Sequence, residues 1–251
     1  MHSKWRLVDS GFVAPPESVA LDEVILEAHT EGLVPDTLHF YCRSTPTISV
    51  GYFQSIAESL DLEECRRRGV SIIRRKSGGG SIYTDQGQLI FALVLHERDL
   101  PKDRTESFKV ICSALSAALS SLGVDARYRP MNDIEVGGKK VSGSAQLRRK
   151  GSVLHHGTVI VEADLAVMDA VLNVKAAQSR GTARPSERVV SLSSLLGEKI
   201  SVGSVKDAIV KHLASTFAVA IEPSALVDWE CARSTQLVKE RYSRDEWNLK
   251  F

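Results

Sequence analysis

The sequence has few cysteines and no long apolar run. Four cysteines, Cys42, Cys65, Cys112 and Cys231, lie far apart in its 251 residues, with no Cys-x-x-Cys spacing. This pattern argues against a disulfide framework or a metal knot and favours a reducing compartment. The longest aliphatic and aromatic run, 89–95, falls short of the ~20 residues that a membrane span needs, and no secretory signal opens the chain. We therefore expect a cytoplasmic protein with no membrane partner.

The sequence also lacks an excess of charge of either sign. Lysine and arginine number 32 and aspartate and glutamate 31, which leaves a formal net charge of +1. A nucleic-acid binder depends on a basic excess, so nucleic acid is not an expected partner. Basic residues nevertheless cluster at 66–76 and 127–150, which predicts a small anionic ligand.

Apolar spacing predicts an α+β fold. The clearest helical stripe comprises Phe108, Ile111, Cys112, Leu115, Leu119 and Leu122, preceded by an Asp103/Glu106 capping box and ended by Gly123. Further helices are predicted near 21–28, 61–69, 164–172 and 204–217. Strand-like runs at 38–42, 47–50, 70–73, 89–95 and 153–161 alternate with them irregularly. The simplest interpretation is one catalytic domain over 1–251 with a short helical tail at about 223–251.

A glycine-rich segment follows the predicted strand at 70–73. It reads Ser77-Gly78-Gly79-Gly80-Ser81 and comes directly after Arg74 and Arg75. Glycines let backbone N–H groups turn toward one point and let a ligand approach with no Cβ in the way. The segment can therefore cradle a phosphate or adenylate, although most such turns merely connect strands. No Gly-x-Gly-x-x-Gly opens a helix here, which excludes the dinucleotide-binding fingerprint.

Two further features carry chemistry. The Gly137-Gly138 pair is typical of a hairpin turn that pairs Glu135 with Lys140 and Asp133 with Ser142, all four side chains on one face. Such a face offers a carboxylate to a cation and an ammonium to an oxygen, or it is only an exposed ion pair.

His155 and His156 are neighbours on a predicted strand and must face opposite sides. One is interpreted as a ligand contact and the other as a buried hydrogen-bonding residue. No third metal-type partner stands at a useful spacing, so a zinc site is not expected.

Several segments together resemble one family. Residues 74–85, Arg-Arg-Lys-Ser-Gly-Gly-Gly-Ser-Ile-Tyr-Thr-Asp, are similar to the Arg-Arg-x-Ser-Gly-Gly-Gly-Ala-Val-Tyr-His-Asp segment of the lipoate–protein ligase A family. Asn132-Asp133-Ile134 and the run 140–146 resemble the second motif of that family. His155-His156-Gly157-Thr158, Asp164-Leu165, Arg188-Val189 and Glu246-Trp247-Asn248 follow in the family's order. The resemblance covers roughly residues 50–248.

The resemblance implies a fold and an activity. The fold is the α+β biotin/lipoate protein ligase fold, related to class II aminoacyl-tRNA synthetase cores. The activity is activation of lipoate or octanoate with ATP and Mg²⁺ to an acyl-adenylate, followed by transfer of the acyl group to a lysine of a lipoyl-acceptor protein. No tightly bound redox cofactor is implied.

The resemblance also implies the site residues. Lys140 is the expected catalytic residue, which would contact the acyl carboxylate and the α-phosphate, and Asp133 would help to hold magnesium. The expected substrate- and nucleotide-binding residues are Arg75, Ser77, Gly78, Gly79, Gly80, Ser81, Ile82, Tyr83, Asp85, Asn132, Lys140, Gly143, Ser144, Ala145, His156 and Thr158.

This sequence departs from the family pattern in three ways. Thr84 stands where the family usually has histidine, and Gln88 with Ile90 replaces the commoner asparagines after Gly87. The chain also stops soon after Trp247, where many relatives continue into a small accessory domain. We therefore expect the catalytic domain alone, served by a separately encoded small accessory protein or closed by loops near Gly137-Gly138 and at 176–185.

Three alternatives compete with the ligase interpretation. An octanoyltransferase of related fold needs a cysteine nucleophile. Related enzymes carry that cysteine before the second motif, where this chain reads Arg129-Pro130-Met131-Asn132, so no cysteine is predicted to be catalytic. A biotin ligase would favour Gly-Arg-Gly and Lys-x-x-Gly-Ile-Leu motifs, which this chain lacks. A non-catalytic lipoyl-adenylate-binding protein is disfavoured by Arg75, Asp133 and Lys140 together.

Overall fold

The computed structural model describes residues 4–172 and 184–251. Its strands are β1 (Lys4–Val13), β2 (Thr37–Arg43), β3 (Thr47–Val50), β4 (Ser71–Arg74), β5 (Ile82–Thr84), β6 (Gln88–His96), β7 (Arg127–Arg129), β8 (Asp133–Val136), β9 (Lys139–Arg149), β10 (Ser152–Ile160) and β11 (Ala220–Ser224). Its helices are α1 (Pro15–Thr30), α2 (Ile56–Ser59), α3 (Leu62–Arg67), α4 (Arg104–Ser120), α5 (Leu165–Val171), α6 (Leu192–Leu196), α7 (Val202–Phe217), α8 (Asp228–Leu237) and α9 (Asp245–Asn248). Glu97–Asp99 and Pro185–Arg188 form 3-10 turns, and a π-helix at Val238–Tyr242 continues α8.

Eight strands form the larger sheet, in the order β11-β1-β2-β6-β10-β9-β8-β7. Strand β1 is parallel to both of its neighbours, and the other neighbouring strands are antiparallel. The apolar run that forms β6 lies near the middle of this sheet because helices cover both of its faces there. A smaller sheet has the order β4-β3-β5. The mixture of helices with mostly antiparallel strands confirms the α+β prediction.

The two faces of the larger sheet are covered by different helices. Apolar residues of α4 and α7 pack on one face, and they include Ile111, Leu115, Leu119, Val205, Ile209 and Leu213. On the other face, Ile25 and Leu26 of α1 pack against Ala92, Val94 and Leu154. The smaller sheet has its own core, which Ile48, Val50, Tyr83 and residues of α2, α3 and α5 form. The glycine-rich segment is therefore carried by one sheet and faces the other.

The starts of α3 and α4 were predicted correctly because they rest on local hydrogen bonds, whereas α1 begins at Pro15, before the predicted residue 21. The Asp103 side chain accepts from the N–H of Glu106 at 2.9 Å, which caps α4, and Asp61 accepts from Glu64 at 3.0 Å at the start of α3. None of the described helices is long and apolar enough to cross a membrane. Of the predicted closing loop 176–185, residues 176–183 lie outside the described residues.

The predicted hairpin forms, but part of the predicted register is wrong. Glu135 pairs with Lys140 as expected, whereas Asp133 pairs with Gly143 and Ile134 pairs with Ser142. A bulge next to Ile134 causes this shift, because a bulge sets two residues of one strand against one of the other. Ser142 is consequently buried and does not share a face with Asp133.

Candidate active site

The candidate site lies on the face of the larger sheet that α1 and the glycine-rich segment cover. Residues directly opposite each other on neighbouring strands point to the same face. Gly143 of β9 is opposite Thr158 of β10, and Ala145 is opposite His156. These four residues, all predicted for the site, therefore line one surface. Two polar groups border it, one around Ser77 and the other around Lys140.

The glycine-rich segment is held in shape by Arg75. This side chain is buried, and its guanidinium donates to the carbonyl oxygens of Ser49 (2.8 Å), Gly78 (2.8 Å) and Gly80 (2.7 Å) and to the Ser77 hydroxyl (3.1 Å). Burial, and then repulsion from Arg43, lowers the pKa of Arg75 to about 10. Arg75 thus organises the loop from inside. Its predicted direct contact with a nucleotide remains a prediction.

A close approach of two backbones fixes this loop, and sequence reasoning missed the glycine that permits it. A Cβ added to Gly51 would lie 2.0 Å from the carbonyl oxygen of Gly79. Gly79 itself has φ +92°, a conformation that favours glycine. The N–H groups of Gly78, Gly79 and Gly80 donate to no described residue. The loop therefore keeps donors free at the site, as predicted for a cradle.

The polar group around Ser77 is a chain of three side chains. The Ser77 hydroxyl oxygen lies 2.6 Å from Nε2 of His156, and Nδ1 of that ring lies 2.7 Å from Oδ2 of Asp22. Burial opposes ionisation of Asp22, but the hydrogen bond from His156 and the nearby His39 ring, whose Nδ1 lies 3.8 Å from Oδ1, together lower its pKa to about 2. The carboxylate is therefore ionised where it meets His156.

Asp22 was missed in the sequence. It stands between apolar residues in the buried stripe of the predicted helix, next to Leu21 and three positions before Ile25. An acid at such a position needs a partner, since an unpaired buried charge is costly. That signal could have singled it out, but its partner is 134 residues away in sequence. Only the fold shows which residue it serves.

His155, on the opposite face of β10, is a core residue. It is fully buried, its ring lies 5.3 Å from that of Phe108 and 6.1 Å from that of Phe91, and Nδ1 is 3.0 Å from the Gln146 amide. Burial, with a smaller repulsion from His156, lowers the pKa of His155 to about 3. The two histidines therefore face opposite sides, as the strand period predicted, and the ligand contact of His156 stays a prediction.

The second polar group is an ion pair between Lys140 and Asp133. The Lys140 ammonium lies 2.6 Å from Oδ1 of Asp133, and Glu135 instead pairs with Arg129 at 2.6 Å. A Cβ on Gly143 would lie 2.2 Å from Cε and Nζ of Lys140. The lysine thus passes directly over Gly143, and a side chain there would displace it. The bulge at Ile134 lets Lys140 reach this face of the sheet.

The surroundings of Asp133 give a weak fit to magnesium. This cation is bound through one or two carboxylates with waters and phosphates in octahedral geometry. Asp133 is a single carboxylate already neutralised by a lysine, and it belongs to no group of three metal-type side chains among the described residues. Its role as a metal ligand stays a prediction.

Other predicted residues have structural roles. Asn132 donates to the carbonyl of Ser144 at 2.6 Å, while the Ser144 hydroxyl contacts the Asn132 carbonyl and the Cys112 thiol, on the α4 face of the sheet. Asp85 accepts from the N–H groups of Gly87 and Asp164, both at 2.9 Å. These side chains shape the loops that carry the site, and their predicted contact with a ligand is not tested.

The loop continues into β5 with three predicted residues. Ser81 has a buried hydroxyl with no partner among the described residues, so it can still bond to a ligand. Ile82 is half-buried, and the Tyr83 side chain packs in the core of the smaller sheet.

A small cleft of about 20 Å³ lies beside His156. Its polar lining includes Asp22, Arg75, Ser77 and His156, and its apolar lining comprises Val19, Leu26, Leu147 and Leu154. All four cysteines are among the described residues, and none lines the cleft. Burial raises the pKa of Cys65 and of Cys112 to about 11.

The C-terminal Trp247-Asn248 motif stabilises the site through hydrogen bonds to the backbone of Arg74. The Trp247 indole donates to the Arg74 carbonyl at 2.8 Å, and the Asn248 side chain accepts from the Arg74 N–H at 3.0 Å. Arg74 is fully buried and donates to the carbonyls of Gly51 (2.9 Å) and Lys250. The tail thereby anchors the strand that leads into the glycine-rich segment.

Curated relatives match the chain over its whole length. It is 32% identical to octanoyltransferase LipM of Symbiobacterium thermophilum, with 100% of each chain covered. It is 31% identical to octanoyltransferase LipM of Brevibacillus brevis, with 98% of this chain and 99% of the relative covered. These relatives overturn our prediction of an ATP-dependent ligase. The acyltransferase alternative fits better, although we had set it aside because Met131 stands where a cysteine was expected.

A solved structure supports the predicted fold. The bi-partite lipoate protein ligase of Thermoplasma acidophilum, studied with its E2 lipoyl domain, superposes with a TM-score of 0.83 at 28% identity, covering 99% of this chain and 96% of that one. The biotin/lipoate protein ligase fold, related to class II aminoacyl-tRNA synthetase cores, is therefore confirmed. The chain is an enzyme of the group that includes lipoate ligases and octanoyltransferases.

The family model agrees with both comparisons. The model described as the lipoyl protein ligase A/B catalytic domain matches residues 14–214, a range that contains the glycine-rich segment, the Lys140 hairpin and both histidines of β10. The chain belongs to the lipoyl protein ligase A/B catalytic-domain family.

Proposed function

We propose that this chain transfers an octanoyl group, or a closely similar medium-chain acyl group, from a thioester donor to a lysine of a lipoyl-domain acceptor. The observation that carries the proposal is the full-length match to proteins named octanoyltransferase. The transfer needs no ATP, because a thioester is already an activated acyl group.

The apolar lining of the cleft suits such a substrate. Val19, Leu26, Leu147 and Leu154 present aliphatic surface next to the polar group of Ser77 and His156. Burying a saturated chain against aliphatic side chains is favourable. The polar end would then hold the acyl carbonyl.

Lys140 has a role in this chemistry that does not depend on a nucleotide. When an amine or a hydroxyl attacks a carbonyl carbon, negative charge develops on the carbonyl oxygen. The Lys140 ammonium is half-buried and is held in place by Asp133 and by the space over Gly143. A preorganised cation beside the carbonyl oxygen stabilises the developing charge, and one such donor increases the rate by ~10²–10³-fold.

The acceptor is expected to be a lipoyl-domain protein, and a separately encoded accessory protein remains a prediction. The acceptor lysine must reach the carbonyl held beside the cleft. Lys140 and Asp133 are 30% and 22% exposed, so the hairpin side of the site is open enough for an approaching lysine.

The experiment is a transfer assay with octanoyl-coenzyme A as donor, a purified lipoyl domain as acceptor and mass spectrometry of the acceptor. We expect one octanoyl amide on the acceptor lysine in the absence of ATP. Modification that appears only when free octanoate and ATP are supplied would overturn the proposal.

A pair of lysine variants tests the role of Lys140 in the same assay. Lys140→Ala should lower the transfer rate by ~100-fold, because a charge that acts mainly in the transition state is removed. Lys139→Ala is the matched control, since Lys139 precedes it on the same hairpin and is exposed. Equal rates for both variants would exclude the assigned role of Lys140.

A further inference from the structure

The Ser77, His156 and Asp22 side chains are arranged like a nucleophile, its base and the group that orients the base. Each end of the imidazole has a partner, at 2.6 Å to the hydroxyl and 2.7 Å to the carboxylate. Both distances lie within the ~2.6–3.2 Å that nucleophilic catalysis requires of such pairs. Ser77 and Asp22 are 2% and 4% exposed, so their partners are fixed by packing.

The hydrogen-bond partners of Ser77, His156 and Asp22 show where the protons of these three side chains lie. Asp22 is ionised and only accepts, so Nδ1 of the neutral ring carries the proton and Nε2 is free to accept. The Ser77 oxygen accepts from Nε of Arg75 at 3.1 Å, and its own proton is directed to Nε2 of His156. This is the tautomer that lets an imidazole take a proton from a hydroxyl.

Arg75 adds a second effect on the same oxygen. Its guanidinium is charged and buried, and it donates to the Ser77 oxygen through Nε. Such a donor stabilises negative charge that develops as the hydroxyl loses its proton. Two independent groups thus favour reaction at this oxygen, one that removes the proton and one that stabilises the charge left behind.

The acyl transfer proposed above lacks a thiol to carry the acyl group. Cys112 is the thiol near the Lys140 hairpin, but it contacts Ser144 on the other face of the sheet, and burial raises its pKa to about 11. Cys65 lies in the core of the smaller sheet. The Ser77 hydroxyl, in contrast, lines the cleft that has aliphatic side chains on its walls.

We propose that Ser77 is the nucleophile that carries the acyl group as an oxygen ester, with His156 as its base and Asp22 as the residue that positions His156. The inference rests on the proposed acyl transfer and names the atom through which that transfer passes.

The first step forms the ester. The Ser77 oxygen attacks the carbonyl carbon of the thioester, and its proton moves to Nε2 of His156. The carbon–sulfur bond then breaks, and the departing thiolate takes that proton. The products are the free thiol and an acyl ester on Ser77, with His156 neutral again.

The second step forms the amide. The neutral amine of the acceptor lysine attacks the ester carbonyl, and His156 accepts a proton from the attacking nitrogen. The carbon–oxygen bond breaks, and the proton returns from His156 to the Ser77 oxygen. The acyl group is now an amide of the acceptor lysine, and the enzyme is in its starting state.

The test is acylation of the full chain by p-nitrophenyl octanoate, read by intact-protein and peptide mass spectrometry without an acceptor. We expect one octanoyl group on the peptide that contains Ser77, and none there in Ser77→Ala. Ser224→Ala, a serine on the exposed strand β11, should acylate like the parent.

A cysteine at the same position gives an independent signature. Ser77→Cys should still be acylated, and its thioester should be released by neutral hydroxylamine, which leaves the oxygen ester of the parent intact. A parent chain with no octanoyl group on Ser77, or with the group on any of the four cysteines, would overturn the inference.

These outcomes separate the inference from the proposed function. If Ser77 is acylated but no acceptor is modified, the nucleophile is correct and the proposed transfer is wrong. If the acceptor is modified at the parental rate by Ser77→Ala, the transfer is correct and the nucleophile is wrong.

Asp22→Asn tests the positioning residue. In serine enzymes the corresponding change lowers turnover by ~10⁴-fold because the ring takes the wrong tautomer. We expect a loss of ~10³-fold or more in the acylation rate constant, with the half-saturating concentration of the ester unchanged. An effect on half-saturation alone would show that Asp22 serves only the shape of the cleft and would overturn its assigned role.

Discussion

The two faces of β10 place neighbouring histidines in opposite surroundings. His155 is packed among Phe91, Phe108 and Gln146, and burial keeps it neutral with a pKa of about 3. His156 lies between an ionised carboxylate and a hydroxyl at the edge of a cleft. The side chains are identical and adjacent, so their difference comes entirely from what each face of the sheet meets.

The comparison teaches where reactivity arises in this fold. The face covered by α4 supplies apolar surface, which favours the neutral form of the His155 ring and offers that ring no acid or base with which to exchange a proton. A face covered by α1 and the glycine-rich segment supplies groups that hold one ring nitrogen protonated and leave the other as an acceptor. Changes on the His156 face should therefore affect the acyl-transfer rate, and changes on the His155 face should affect the free energy of unfolding.

The largest expected effect comes from exchanging each histidine for glutamine. His156→Gln removes the base and should lower acyl transfer by about 10³-fold, within the range of ~10²–10⁴ for general acid–base groups. His155→Gln should keep the transfer rate within about threefold, since it faces the α4 side. Transfer rates of the two folded variants make the comparison, and similar losses in both would show that the faces are not functionally distinct.

The next effect is on stability at acid pH. The pKa of His155 is about 3 in the folded protein, against an ordinary value of 6.5. As the pH falls below 6.5 the unfolded chain binds a proton there and the folded chain does not, so stability decreases by about 1.4 kcal/mol per pH unit until about pH 3. Stability from this group is complete above pH 6.5.

Urea unfolding at pH 7 and pH 4.5 measures this dependence. Between these values the parent should lose about 2 to 3 kcal/mol more than His155→Gln loses, because only the parent carries the buried imidazole. Asp22 does not interfere, since the stability that it contributes is lost only as the pH falls from its ordinary value of 3.8 to its folded pKa of about 2, below the acid end of the experiment. Equal losses in the two proteins would show that His155 is not held neutral by burial.

A smaller loss of transfer rate is expected when a side chain is added at Gly143, over which Lys140 passes on the His156 face. Gly143→Ala places a Cβ where the Lys140 ammonium now lies, so the lysine must move. The far end of a lysine is flexible, and we expect about a tenfold loss in transfer with little change in stability. Gly203→Ala in α7 is the matched control because its nearest contact would be an ordinary 3.6 Å. Equal transfer by both glycine variants would contradict the assigned position of Lys140.

The smallest effect comes from the helix that covers the His155 face. Asp103→Ala removes the cap of α4 and should cost about 1 kcal/mol of unfolding free energy while leaving the transfer rate unchanged. Thermal unfolding and the transfer assay check both halves of this prediction. A loss of activity without a loss of stability would mean that α4 communicates with the cleft.

Much of the fold could be predicted because its signals are local. The Asp103 and Asp61 caps, the apolar stripe of α4 and the turn at Gly137-Gly138 each rest on residues within a few positions of one another. The bulge beside Ile134 was missed because it depends on how two strands fit the rest of the sheet. Its consequence was substantial, since it moved Ser142 into the core and paired Lys140 with Asp133.

The site was predicted as a set of segments but not as an arrangement. Ser77, Lys140 and His156 were singled out from their motifs, whereas Asp22 and Gly51 were not, because neither belongs to a motif that the sequence displays. The activity was mispredicted for a related reason. Motifs that position an acyl group look the same whether the group is activated by a nucleotide or arrives as a thioester, and the full-length relatives favour the second alternative.

The sequence by itself determined that an amphipathic helix follows Asp103, that a tight turn forms at Gly137-Gly138, and that His155 and His156 face opposite sides. These follow from the periods of the helix and the strand and from the sterics of single residues. Tertiary structure alone decided that Asp22 meets His156, that Ser77 completes the chain and that no cysteine lines the cleft. The physical reason is distance along the chain: 134 residues separate Asp22 from His156 and 79 separate Ser77 from it, so only the packing of α1 and the glycine-rich segment over β10 brings these groups within hydrogen-bond reach.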